Sequence, residues 1–216
     1  MKLIKYSHSC IRLQNNNKTL VLDPGNFSEV EEALEGADFI LITHAHPDHF
    51  EAEKVAAFLE AHPKTELYAP RAVIDELKDK VRGAKLHNAE AEESFSLDGL
   101  DIKTFGGQHA LIHPLVRTID NVGYLINDEL FHPGDSLVVP HQLKVKTLLV
   151  PIHAPWNKIQ EVIDYIIAVG AEKAYPIHNA LLSENGHSII EGQLKNFGEK
   201  YGTEYIHLDP RDEVEI

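Results

Sequence analysis

The stretch Phe39-Ile40-Leu41-Ile42-Thr43-His44-Ala45-His46-Pro47-Asp48-His49 decides how this chain is read. Its first four residues are apolar and lie between Gly36 and a polar loop, the pattern of a short buried strand. Three histidines and a carboxylate follow within the six residues His44 to His49. Imidazole and carboxylate are the ligands that borderline divalent metals take where no thiolate is offered. A rigid strand feeding a tight loop aims several such side chains at one place. Four donors from one loop would crowd a single ion. His44 and His46 are two apart and point the same way from extended backbone, whereas Asp48 and His49 lie past Pro47 and can face a second point. The spacing therefore suggests two metals. The competing reading is a solvated loop that happens to be His-rich, and partners further down the chain weigh against it.

A chain of 216 residues can bury a substantial core, and it is expected to form one domain over residues 1–216. The net charge of -14 disfavours a nonspecific grip on nucleic acid or on an anionic membrane, because both need a basic face. The expected partner is a small-molecule substrate. Cys10 is the only cysteine, so there is no intrachain disulfide and no thiolate metal site, and a reducing compartment fits. The N-terminus lacks the long apolar core of a signal peptide, and no run approaches the ~20 apolar residues of a membrane span. A cytoplasmic, soluble protein is expected. No surface stripe decides for or against homo-oligomerisation.

Outward from the central stretch, residues 2–23 read as antiparallel strands turning at Asn15-Asn16-Asn17. Helices are expected over 29–35, 50–62, 72–81 and 189–201, and the clearest one carries Ile159, Val162, Ile163, Ile166 and Ile167 on one face before Gly170. Strands are expected over 66–69, 93–105, 122–126, 129–132, 148–150, 174–177 and 204–208. Strands followed by helices occur twice over, which suggests two sheets packed face to face with helices outside. Three later segments repeat one form, a strand, a turn and a metal-type side chain. They end in His109 after Gly106-Gly107, in Asp135 after Pro133-Gly134, and in His178 directly after Ile177. Each alone is an ordinary loop residue, but the set is strong evidence. His8 reads as a strand histidine with an ordinary hydrogen bond, and Trp156 as packing at a helix head. His132 and His153 fall outside the expected site.

The His44-x-His46-x-Asp48-His49 loop with His109, Asp135 and His178 resembles the metallo-β-lactamase superfamily. The flanks His8-Ser9-Cys10, Leu22-Asp23-Pro24-Gly25, Phe131 to Ser136 and Ala154-Pro155-Trp156 are most similar to small metal-dependent hydrolases of the ascorbate-6-phosphate lactonase-like group. The resemblance implies an α+β fold, an αββα four-layer sandwich of two mixed sheets with the site at one edge. It implies that His44, His46 and His109 bind a first metal, that Asp48, His49 and His178 bind a second, and that Asp135 bridges them. Two divalent ions follow as cofactors, zinc foremost, with manganese, iron or nickel as alternatives. The implied activity is hydrolysis of a small ester, lactone or phosphoester by a metal-bound hydroxide, with Asp48 and Asp135 as the catalytic residues that handle its proton. A phosphodiesterase or nuclease of the same superfamily is disfavoured by the acidic balance. A diiron redox protein of this fold would be expected to replace one histidine of the main loop by a carboxylate. A metal-binding protein without catalysis is the last alternative. Arg117 or Lys158, if turned toward the site, would favour an anionic substrate.

Overall fold

Leu20 and Leu22 flank Val21, and Phe39 and Leu41 flank Ile40. This period of two sorts each strand into two faces, and both faces are buried in the computed structural model, which describes residues 1–216. In chain order the first half runs β1 (Lys2–Lys5), β2 (Ile11–Asn15), β3 (Lys18–Leu22), α1 (Val30–Leu34), β4 (Phe39–Leu41), α2 (Ala52–Ala61), β5 (Glu66–Ala69), α3 (Arg71–Lys78) and β6 (Lys85–Asn88). The second half runs β7 (Ser94–Leu97), β8 (Leu100–Gly106), β9 (Val122–Ile126), β10 (Leu130–His132), β11 (Thr147–Pro151), α4 (Ile159–Val169), β12 (Lys173–Ile177), α5 (Glu184–Tyr201), β13 (Glu204–Tyr205) and β14 (Glu213–Glu215). Two seven-stranded sheets result, ordered β14-β1-β2-β3-β4-β5-β6 and β13-β12-β11-β10-β9-β8-β7.

The inner faces meet in one core, where Leu13, Leu20, Leu22 and Leu41 pack with Ile102, Tyr124, Leu149 and Tyr175. The outer face of the first sheet, with Val21, Ile40 and Leu67, is covered by Leu34, Val55, Leu59 and Val73 from α1, α2 and α3. The second sheet, through Leu125, Leu148 and Ala174, packs against Val162, Tyr165 and Ile166 of α4 and Leu194 of α5. The architecture is the expected α+β sandwich in four layers. At one edge the sheets are stitched together directly. The Tyr124 hydroxyl donates to Ile42 O at 3.0 Å, and Val122 N–H donates to Thr43 O at 2.9 Å.

Strand direction places the functional edge. β3, β4, β5 and β6 are mutually parallel, and β1 runs with them because β2 is antiparallel to both its neighbours. In the second sheet β10, β11 and β12 are parallel, and β8 runs with them across antiparallel β9.

Some boundaries differ from the sequence reading. β6 and β14 are additional edge strands, carrying Lys85, His87 and Asn88 or Glu213 and Glu215 where an apolar alternation would have marked them. α5 begins at Glu184, not at residue 189, because Ser183 Oγ accepts the Gly186 N–H at 3.2 Å and caps turns that bury nothing. The strand expected over 204–208 ends at Tyr205. No helix is long and apolar enough to cross a membrane.

Candidate metal centre

Six segments leave the carboxyl ends of co-directional strands and meet at one edge, the place where parallel sheets present their loops. β1 delivers His8, β3 delivers Asp23, and β4 delivers the loop from Thr43 to His49. β8 leads to His109, β10 to Asp135 and β12 to His178. All seven residues expected at the site are there. His44, His46, His109 and Asp135 present donor atoms within 4.8 Å of one another, and so do Asp48, His49 and His178 together with His8. The loop is seated on the turn after β3: Asn26 N–H donates to Pro47 O at 2.8 Å, and a Cβ on Gly25 would lie 1.8 Å from Asp48 O. Only glycine permits that approach.

The hydrogen bonds fix which nitrogen of each ring is free. His109 Nδ1–H donates to Ala110 O at 2.6 Å, and His178 Nδ1–H donates to His153 O at 2.7 Å. Thr43 Oγ1 donates its single proton to Asp23 Oδ2 at 2.7 Å, so His44 Nδ1, 2.9 Å from that hydroxyl, is a donor to it. His49 Nδ1–H donates to Asp23 Oδ2 at 2.6 Å. In their neutral form these four imidazoles would turn Nε2 lone pairs inward. His109 and His178 Nε2 lie 3.2 Å from Asp135 Oδ2, His44 Nε2 lies 3.8 Å from it, and His49 Nε2 lies 3.0 Å from Asp135 Oδ1.

Lone pairs facing a carboxylate repel it unless a cation lies between. A proton serves at two of the rings. Burial alone would lower the pKa of His178 and His49. The Asp135 carboxylate outweighs it, joined by Asp48 at His178 and by Asp23 at His49, so that His178 rises to about 9 and His49 well above its ordinary value. At His44 the proton fails. Burial first, and then the neighbouring His49 charge, push its pKa well down, and its fully buried Nε2 has no hydrogen-bond partner. Asp135 Oδ1 is likewise buried, and although His49 Nε2 lies 3.0 Å away the two are not aligned as a hydrogen bond. Orphaned buried polar atoms are costly and rare. A sulfur-free set of imidazoles and carboxylates with an unpartnered nitrogen fits a divalent metal ion.

Four residues at the centre, Asp23, His8, Lys5 and Trp156, were not assigned to it from the sequence. Asp23 is fully buried and accepts Thr43 N–H at 2.8 Å as well as the Thr43 hydroxyl and His49. It is the carboxylate that orients a histidine from behind. His8, in left-handed backbone at φ 58, accepts Ala180 N–H on Nδ1 at 3.3 Å and donates Nε2–H to Asp48 Oδ2 at 3.0 Å. Its inward nitrogen carries the proton, so His8 positions Asp48 and is not itself a donor to metal. Buried Lys5 braces that turn through Tyr6 O and, at 2.7 Å, His8 O. Trp156 donates Nε1–H to Asp135 Oδ2 at 3.0 Å instead of serving only as packing. The signal for His8 was available: it too is a metal-type side chain one turn beyond a strand. The segment from 107 to 121 is irregular, and with His46 and His109 it lines a small recess that also holds Ile112, Val116 and Arg117.

Known proteins share both the fold and the sequence. Residues 2–178 match the family described as the β-lactamase superfamily domain. Protein Rv0786c of Mycobacterium tuberculosis is 37% identical over 199 residues, covering 90% of this chain and 91% of that one. A protein of Methanocaldococcus jannaschii described as a metal-dependent hydrolase is 26% identical over 147 residues, 61% of this chain and 59% of its own. Among solved structures, Igni18, a metallo hydrolase of Ignicoccus hospitalis, superposes with a TM-score of 0.76 at 18% identity, covering 99% of this chain and 97% of its own. The fold is also that of CmlA, a diiron β-hydroxylase of Streptomyces venezuelae, at a TM-score of 0.73 and 15% identity over 100% of this chain and 54% of that one. Fold alone therefore does not choose a reaction. The four-layer sandwich, the histidine-rich edge and the match over residues 2–178 lead to one assignment: the chain belongs to the β-lactamase superfamily.

Proposed function

We propose that the protein is a dinuclear metal-dependent hydrolase acting on a small ester, lactone or phosphoester. The observation that carries this reading is the Asp135 carboxylate, whose two oxygens face imidazole nitrogens from both groups of donors. In this reading His44, His46 and His109 hold one divalent ion, Asp48, His49 and His178 hold the other, and Asp135 serves both. The donor set suits zinc, with manganese, iron or nickel as alternatives. Two such ions supply Lewis acidity and bring the pKa of water from 15.7 toward about 7.

The chain's own residues do the rest. Asp48 and Asp135 are the carboxylates able to take the proton of the attacking water. Each is kept ionised in the metal-free protein: burial opposes this, but His178 and His8 hydrogen bonds hold the Asp48 pKa low, and the His49 and His178 charges hold Asp135 well down. His8 keeps Asp48 turned inward, and Trp156 fixes Asp135 Oδ2. Asp23 holds His49 in the tautomer that leaves Nε2 free. Arg117 in the recess beside His46 and His109 supports a substrate bearing a carboxylate or phosphate. The description of the Methanocaldococcus relative as a metal-dependent hydrolase supports the reaction class.

The test is elemental analysis of the purified protein with a screen of chromogenic esters, lactones and phosphodiesters. About two metal equivalents and a chelator-sensitive rate on one substrate class are expected. His46→Ala should lose about half of the metal, Asp135→Ala most of it, and both their activity. Two equivalents retained in both variants would refute the ligand assignment.

A further inference from the structure

We infer a third, peripheral metal site, built by His187 and Glu191 of α5 and His207 beyond β13, that takes one divalent transition ion of the zinc class. His187 and Glu191 stand four apart on the helix and so share one face. His187 Nδ1 lies 2.6 Å from Glu191 Oε1, and His207 Nδ1 lies 2.8 Å from Glu191 Oε2. The three donor atoms lie within 4.8 Å of one another. Two imidazoles and one carboxylate make a set that zinc, nickel or copper takes readily and that magnesium and calcium do not favour.

His207 Nε2 faces Asp209 Oδ1 at 3.2 Å, where only an N–H is accommodated. Glu191 and Asp209 favour a proton on His207, and a divalent ion displaces that proton to bind Nδ1 beside Glu191 Oε2. Asp209 stands behind His207 as Asp23 stands behind His49, a carboxylate that fixes the far nitrogen of a ligating ring. The pair Ile206 N–H to Ala174 O at 2.9 Å and Asp209 N–H to Asp212 Oδ2 at 2.9 Å anchors the backbone on both sides of His207. Glu191 is mostly buried, at 12% side-chain exposure, which strengthens its pull on a cation, while His207 at 42% can shift outward. Such a shift is needed, since a tetrahedral zinc ion spaces its donors about 3.4 Å apart.

The site shares no residue with the main centre but borders the same space. His187 and His207 line a cleft of about 480 Å³ that Lys5, Ser7 and His8 also line. Zinc held by three protein donors would keep one position for an outside ligand. An ion would also tie α5 to the segment after β13, so binding raises the thermal midpoint.

The experiment titrates zinc calorimetrically into protein already carrying its main-centre metal, with the ions counted by elemental analysis after desalting. Wild type should bind one ion more than Glu191→Gln or His207→Ala, whatever the main centre holds, and only wild type should gain thermal stability from added zinc. Asp209→Asn should weaken this binding by about 10–100-fold. Asp135→Ala, which disrupts the main centre, should keep the peripheral ion, so the two sites fail separately. No additional ion in wild type, or an additional ion that survives both Glu191→Gln and His207→Ala, overturns the assignment.

Discussion

Asp23→Asn changes one atom and should silence a ring it does not replace. Asp23 Oδ1 accepts Thr43 N–H at 2.8 Å, and a backbone donor must keep an oxygen opposite it. The asparagine amide nitrogen therefore takes the Oδ2 position, 2.6 Å from His49 Nδ1 and 2.7 Å from Thr43 Oγ1. Facing an N–H₂, His49 Nδ1 becomes an acceptor, its proton moves to Nε2, and the nitrogen aimed at Asp135 is no longer a ligand. Thr43 Oγ1, now receiving a proton, is free to donate to His44 Nδ1 and loosens that tautomer as well. A hydrogen bond to a charged partner is worth about 1.5–3 kcal/mol. Converted at 1.4 kcal/mol per decade, this is roughly 10- to 100-fold in metal affinity, the range found when the residue behind a ligating histidine is changed. The assay is zinc titration of the metal-free variant beside wild type, with circular dichroism to show that both are folded. A folded Asp23→Asn protein that binds its second ion as tightly as wild type would show that Asp23 does not set the His49 tautomer.

Three further outcomes follow from particular contacts. Gly25→Ala drives a methyl group onto the Asp48 backbone carbonyl, which cannot give way as a flexible side chain would. It should cost at least about 1–3 kcal/mol in denaturant unfolding. His8 is buried, and burial holds its pKa down at about 4 against about 6.5 unfolded. Between those values the unfolded chain binds more protons, so this contribution to stability falls as pH drops from about 6.5 toward 4. His8→Asn should flatten that slope in the metal-free protein, and an unchanged slope would contradict a buried neutral His8. Arg117→Ala should raise KM severalfold for anionic substrates and leave neutral esters unaffected. An equal effect on both would remove Arg117 from substrate selection.

What the sequence made legible was whatever repeats locally. The Phe39–Leu41 run, the alternation through Leu20 to Leu22 and the stripe from Ile159 to Ile166 each carry their period on the page. The seven residues gathered at this edge were legible because strand, turn and metal-type residue recur at His44, His109, Asp135 and His178. Asp23 was read only as part of an Asp-Pro-Gly turn, since its partners Thr43 and His49 lie 20 and 26 residues away. His8 was discounted for the same reason, its contacts being 40 and 172 residues distant. β14 pairs with β1 across almost the entire chain, and nothing local in Glu213-Val214-Glu215 announces it.

That last pairing has a consequence for biosynthesis. β1 leaves the ribosome well before β14, and it lies in the sheet between β2 and β14, with Leu3 opposite both Leu13 and Val214. Lys5, whose ammonium braces the His8 turn, donates its own N–H to Asp212 O at 3.0 Å and accepts from Arg211 N–H. One flank of β1 therefore waits for residues 211–215 to be made. A nascent chain can assemble most of both sheets while the His8 turn is still unbraced on that side. Closing it is a late, long-range event, and it falls to β14, a strand of three residues with glutamates at both ends.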